Sequence, residues 1–214
     1  MLPVRSNVAD RPVPQARTLP TSTSAPGEHT TPGGRAPLFL GIDPGQSGGV
    51  AWIEGDNARA SKMPETERDL WDSFAAFRVN SVTLAVIERV SPAPGEGVVS
   101  AFTFGQNYGL LRGFLIACAI PFVEVSPSVW QKRYSLPALP KRPPLIVGPT
   151  TPEAIEARKA TLRTRGKART EKKNALKAIA QQLFPLLKIT HATADALLLA
   201  TYARMLHTQR TGTP

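Results

Sequence analysis

The sequence predicts an α/β protein built on a sheet of mixed direction with helices on both faces. Three observations predict it: short apolar runs lead the chain, helical patterns follow them, and two of the runs end in a carboxylate at a loop. Leu38 to Asp43 is the first run, followed by the turn PGQSGG and a second β-type run, Val50 to Glu54, with Asn57 to Met63 as a third strand. Glu65 to Val79 has helical spacing, with Leu70, Phe74 and Phe77 on one side. Val82 to Glu88 reads as a buried strand that ends, like the first, in an acid, and Ser91 to Gly97 is a Pro/Gly loop.

Val98 to Ala119 is a long, largely apolar helix. Gly105, Gly109 and Gly113 are spaced by four and therefore share one face. Each glycine costs a helix about 1 kcal/mol relative to alanine, so three aligned ones predict a surface that another backbone approaches closely, either the sheet or a second subunit. Pro121 to Val125 reads as a strand, Ser128 to Tyr134 as a short helix, Thr170 to Phe184 as an amphipathic helix and Ala192 to Leu206 as the last helix.

The chain has 214 residues, 21 of them proline, and a formal charge of +10. That length suits one folded domain with unstructured chain attached. Residues 1–37 hold seven prolines with many Ser, Thr and Gly and no hydrophobic periodicity, which predicts a disordered tail. The tail has no apolar core of a secretory signal, and an organelle transit peptide is the lesser reading because the amphipathic pattern is missing. No apolar run approaches the roughly 20 residues that cross a bilayer, so no membrane partner is expected. The lone Cys118 excludes an internal disulfide or a cysteine zinc cage and suits a reducing cytoplasm. Residues 207–214 read as a C-terminal tail.

The charge is uneven. Lys132 to Lys173 holds twelve basic residues against Glu153, Glu156 and Glu171, a net of +9. Six prolines in the same stretch predict an extended basic loop over 135–168. Such a stretch can be a mere solvated linker. Lying between segments that carry candidate site residues, it reads instead as an arm that tracks a polyphosphate, with Lys132, Arg133, Arg163, Arg165, Lys167, Arg169 and Lys172 as its contacts.

Asp43 and Glu88 end apolar strands, and Asp195 lies early in the last helix, beside an apolar face. One carboxylate at such a place is usually a cap, a turn or an ion pair. Three of them in a basic chain suggest oxygen ligands for a hard divalent cation such as Mg²⁺. Two such ions about 4 Å apart bind both the attacking water and the leaving oxygen in phosphodiester hydrolysis. His191, four residues before Asp195, could hold a metal, orient a water, shuttle a proton or simply cap the helix. Lys173 beside such a cluster could neutralise charge in the transition state. Phe102, Phe104 and Tyr108 follow the Glu88 loop. At least one belongs to the core, while an aromatic at the loop edge, Phe102 or Phe104, could stack on an unpaired base. Trp52, Trp71 and Trp130 read as packing residues.

Five motifs in order resemble the RuvC-type Holliday junction resolvases of the RNase H-like superfamily: LGIDPG at 40–45, AVIERV at 85–90, FGQNYGLLRG at 104–113, KNALKAIAQQLFP at 173–185 and HATADALLLA at 191–200. The resemblance spans about 38–206, and the segment 108–134 looks closer to phage-encoded and chloroplast members than to the standard bacterial enzyme. It implies an RNase H-like sheet, Mg²⁺ (with Mn²⁺ as substitute) on Asp43, Glu88 and Asp195, a catalytic Lys173, and a homodimer that cuts two strands of a four-way DNA junction in recombination and repair. The departures are Ala192, where many bacterial members carry a further Asp, a long segment at 135–168, and the N-terminal tail.

The expected function is therefore a structure-selective endonuclease. The first rival is a non-catalytic branched-DNA or RNA-binding protein of the same fold. A second, a phosphotransferase of the actin-like sugar-kinase type, would need a second similar domain, for which the chain is too short.

Overall fold

The computed structural model describes residues 36–78, 82–91, 97–136, 138–144, 148 and 150–212. The tail expected over 1–37 lies outside them except for its last two residues, as do residues 92–96 of the Pro/Gly loop. Five strands form one sheet: β1 (Leu38–Asp43), β2 (Gly49–Glu54), β3 (Asn57–Lys62), β4 (Val82–Glu88) and β5 (Phe122–Val125), in the spatial order β3-β2-β1-β4-β5. β1 to β3 make an antiparallel meander, while β4 lies parallel to β1 and β5 parallel to β4. The sheet is mixed, as expected, and its direction changes at β1.

Alternation along β1 divides the core in two. Leu38, Leu40 and Ile42 pack with Leu70, Phe74 and Phe77 of α1 (Glu67–Arg78) and with Leu111 and Leu115 of α2 (Val98–Ala117). Phe39, Leu84 and Val86 face the other way, into a cluster with Leu176 and Ala180 of α4 (Pro152–Leu183) and Leu197 to Ala200 of α5 (His191–Thr211). A short helix, α3 (Pro127–Trp130), runs into a 3-10 turn at Gln131–Tyr134. Helices therefore cover both faces. No described helix is long and apolar enough to cross a membrane.

α5 lies against the middle of the sheet because Gly41 lets it. A Cβ on Gly41 would land on the carbonyl of Ala196 and the amide of Ala200. The glycines of α2 behave differently: among the described residues, a Cβ at Gly105, Gly109 or Gly113 would meet nothing within 4 Å. The sheet is thus not the close neighbour that the glycine spacing suggested.

The largest correction concerns the basic stretch. The expected loop over 135–168 ends at Thr151, and α4 runs unbroken from Pro152 rather than beginning at Thr170. The start signal is ordinary helix chemistry. Thr151 is the N-cap, its hydroxyl accepting from the Ala154 amide at 3.3 Å, Pro152 occupies the first turn and Glu153 follows. The proline density upstream masked it, because Pro152 is the one proline of the group placed where a helix tolerates it.

Candidate active site

Asp43 stands at the C-terminal end of β1, where the chain must reverse tightly to begin β2. The turn is closed by the Gly48 amide donating to the Gly45 carbonyl at 3.0 Å, with Gly45 at φ +106°. A Cβ on Gly48 would strike the Asp43 carbonyl and crowd its carboxyl carbon, so glycine there keeps the acid uncovered. Glu88 ends β4 in the same direction because β1 and β4 are parallel, with Ile42 paired to Ile87. Asp195 reaches the same edge from the first turns of α5. The entry to that helix is fixed by the Thr190 amide donating to Thr193 Oγ1 at 3.0 Å.

All three carboxylates line one open cleft of about 1080 Å³. Each is held well above the usual carboxylate range. Burial raises Asp43 to about 7, the Asp195 charge adds to the rise, and Lys173 opposes it. Burial raises Glu88 to about 8, with Asp43 and Asp195 adding and the Trp130 indole N–H opposing. Burial raises Asp195 to about 6, against the positive charges of Lys173, His191 and Lys172. Two causes thus act together, loss of water and like charge. Among the described residues, however, no group of three or more Asp, Glu, His or Cys side chains is gathered tightly enough to hold a metal ion as it stands.

The same cleft is also lined by bases. Arg142, Arg165, Arg169, Lys172 and Lys173 line the cleft, all but the first from α4. Lys173 is an exposed side chain in the second half of α4. The Pro-rich segment is clipped to this helix by two guanidiniums: Arg158 Nε donates to the Pro144 carbonyl at 3.1 Å, and Arg165 donates to the carbonyl of Pro140.

Of the residues singled out in the sequence, the cleft collects Asp43, Glu88, Asp195, Lys173, Phe104, Arg165, Arg169 and Lys172. Phe104 lies against the reversal after β1, where a Cβ on Gly45 would come 3.2 Å from its ring. Six others stand outside the lining. Phe102 is 66% exposed on α2. His191 is exposed at the start of α5, and its charge acts on Asp195. Arg163 and Lys167 are exposed on α4. Lys132 and Arg133 line a separate cavity of about 440 Å³ with Tyr202 and Gln209. The sequence reading missed Asn107, Gln131 and Arg142 as cleft residues. Arg142 carried a signal, its place in the basic run, and Asn107 lies within the motif at 104–113, whereas nothing in the sequence set Gln131 apart.

No protein-family profile and no curated protein matches the chain. Among solved structures, the chain is similar to Thermus thermophilus RuvC in complex with a Holliday junction substrate, at 14% identity and a TM-score of 0.45, covering 83% of this chain and 97% of that one. It is also similar to Thermus thermophilus RuvC alone, at 14% identity and a TM-score of 0.44, covering 82% and 97%.

Proposed function

We propose that the protein is a structure-selective DNA endonuclease that resolves four-way junctions by metal-dependent hydrolysis of phosphodiester bonds. One observation carries this reading: three acids from distant parts of the chain line one cleft together with arginines and lysines. The five sequence motifs that resemble RuvC-type resolvases point the same way.

The donor set fits a hard divalent cation in its chemistry, since three crowded, desolvated carboxylates are all ionised near neutral pH only beside positive charge. Asp43, Glu88 and Asp195 would hold Mg²⁺, or Mn²⁺ in its place, and the ion would supply an activated water and neutralise charge on the phosphate. The chain's own residues do the rest. Lys173, whose charge reaches both Asp43 and Asp195, adds positive charge where the phosphate becomes more negative. His191 offsets the Asp195 charge from the helix start. Arg142, Arg169 and Lys172 hold the backbone in the cleft, and Phe104 offers a ring at its edge to an unpaired base. Phe102, Lys132, Arg133, Arg163 and Lys167 are outer contacts for the arms of the junction. A homodimer matches the two-fold symmetry of a junction cut in pairs.

The non-catalytic binder remains a second reading, favoured by the absence of a closed three-ligand group among the described residues. One experiment separates the two. End-labelled four-way junction and linear duplex are incubated with the protein and Mg²⁺, and the products are mapped. Paired nicks placed symmetrically about the branch point are expected. Junction protected from a chemical probe, with no product in Mg²⁺ or Mn²⁺, would establish the binder instead.

A further inference from the structure

Trp130 is fully buried at 0% exposure, yet among the described residues its Nε1 has no hydrogen-bond partner at accepted geometry. Buried donors are nearly always paired, and a Phe or Leu would fill this place in the core without the desolvation cost of an indole N–H. The surroundings explain where that N–H belongs. Glu88 is paired with Val125 across β4 and β5, and the chain enters α3 two residues after Val125. α3 therefore starts beside the end of β4, and Pro127 and Gln131, on either side of Trp130, line the cleft together with Glu88. The body of the indole is held from behind. Tyr134 meets it edge-on with ring centres 6.1 Å apart, and the Tyr134 hydroxyl donates to the Leu198 carbonyl of α5 at 3.1 Å.

We propose that Trp130 is a positioning residue for Glu88, its indole N–H serving as the donor that fixes one carboxylate oxygen and leaves the other for a cation in the cleft. The inference deepens the reading of Glu88 as a metal-holding group and rests on it. Trp130 packs in the same core cluster as Val125, the residue paired with Glu88 at the end of β4. Donors of this kind, one step behind the ligand, commonly alter metal affinity about 10- to 100-fold.

The test needs no turnover. The full chain, labelled with ¹⁵N-tryptophan, gives three indole signals, from Trp52, Trp71 and Trp130, which single Trp→Phe variants assign. Glu88→Gln should move the Trp130 signal and leave those of Trp52 and Trp71, which pack in the other core cluster, in place. Trp130→Phe should weaken Mn²⁺ binding, read by electron paramagnetic resonance, about tenfold while the melting temperature changes little. A Trp130 signal indifferent to Glu88→Gln overturns the inference, as does full Mn²⁺ affinity in a folded Trp130→Phe protein. Should Trp130→Phe fail to fold, Trp52→Phe and Trp71→Phe still identify the third signal and the Glu88→Gln response decides. Failure of junction cleavage with the Trp130 response intact would count against the nuclease reading and leave the contact standing.

Discussion

Asp43 and Glu88 end strands whose preceding residues, Ile42 and Ile87, are fully buried, whereas Arg169 and Lys172 project from a helix whose N-terminal half is mostly exposed. The acids are placed by the core itself. Their position depends on strand pairing, on Gly41 beneath α5 and on Gly48 in the reversal. The bases depend on little more than helix formation and the two guanidinium clips on the Pro-rich segment. Cleavage chemistry demands fixed placement of a few groups, while holding a polyanion demands only charge density along a surface. The acids also carry a standing cost, since burial and mutual repulsion oppose their ionisation.

The strongest way to break this contrast is to disturb the core beneath the acids. Gly41→Val should cost about 3 kcal/mol or more, because a branched side chain must enter backbone already in contact, and chemical denaturation will measure it. An unchanged midpoint would show that α5 is not seated as described. The next effect in size is chemical. Asp43→Asn should lower junction cleavage about 10³-fold while leaving junction affinity, read by gel shift, within about twofold. Parallel losses of binding and cleavage would mean that the acids and the bases are not separable.

The bases predict a smaller, graded effect. Arg169→Ala with Lys172→Ala should weaken junction binding about tenfold and reduce the salt dependence of log K by about two, one for each phosphate no longer neutralised. The melting temperature should stay within about 2 °C of the wild type, as for other exposed substitutions. Arg165 is a poorer choice for that test because it also holds Pro140. Lys132→Ala with Arg133→Ala, on the separate cavity, should reduce binding less.

The smallest effect is on stability. Asp43, Glu88 and Asp195 have folded-state values of about 7, 8 and 6, above ordinary values of 3.8, 4.5 and 3.8. The folded state therefore binds more protons than the unfolded state between about pH 4 and pH 8. Stability contributed by these groups is present below that window and is lost as pH rises through it. In chelator, the melting temperature should fall from pH 5 to pH 8, and Asp43→Asn should recover about 1 kcal/mol at pH 8, or about 2–4 °C. Mg²⁺ should reverse the trend, stabilising the wild type more at pH 8 than at pH 6.

The same contrast explains what the sequence disclosed. β1 and β4 were legible to within a residue because each is an apolar run closed by an acid and a loop, so strand, burial and site shared one signal. Lys132 and Arg133 look like Arg169 and Lys172 as letters, yet they line a different cavity, because exposed charge has no sequence period to fix its direction. α4 was half missed for a related reason. Its N-terminal half buries little, and without an apolar stripe only the Thr151–Pro152–Glu153 start announced it. Trp130 was read as packing, which its burial supports, but no sequence pattern states which acceptor an indole meets.

The β2–β3 reversal offers a practical consequence. Asp43 pairs with Gly49 and Leu38 with Glu54, so the turn at Gly55 and Asp56 sits at the far end of the hairpin from the acids, about 20 Å away along six residues of strand. Gly55, at φ +57°, is best left alone, but the neighbouring Asp56 is an exposed attachment point for a dye or surface tether. A molecule immobilised there would present its cleft outward, open to the solution.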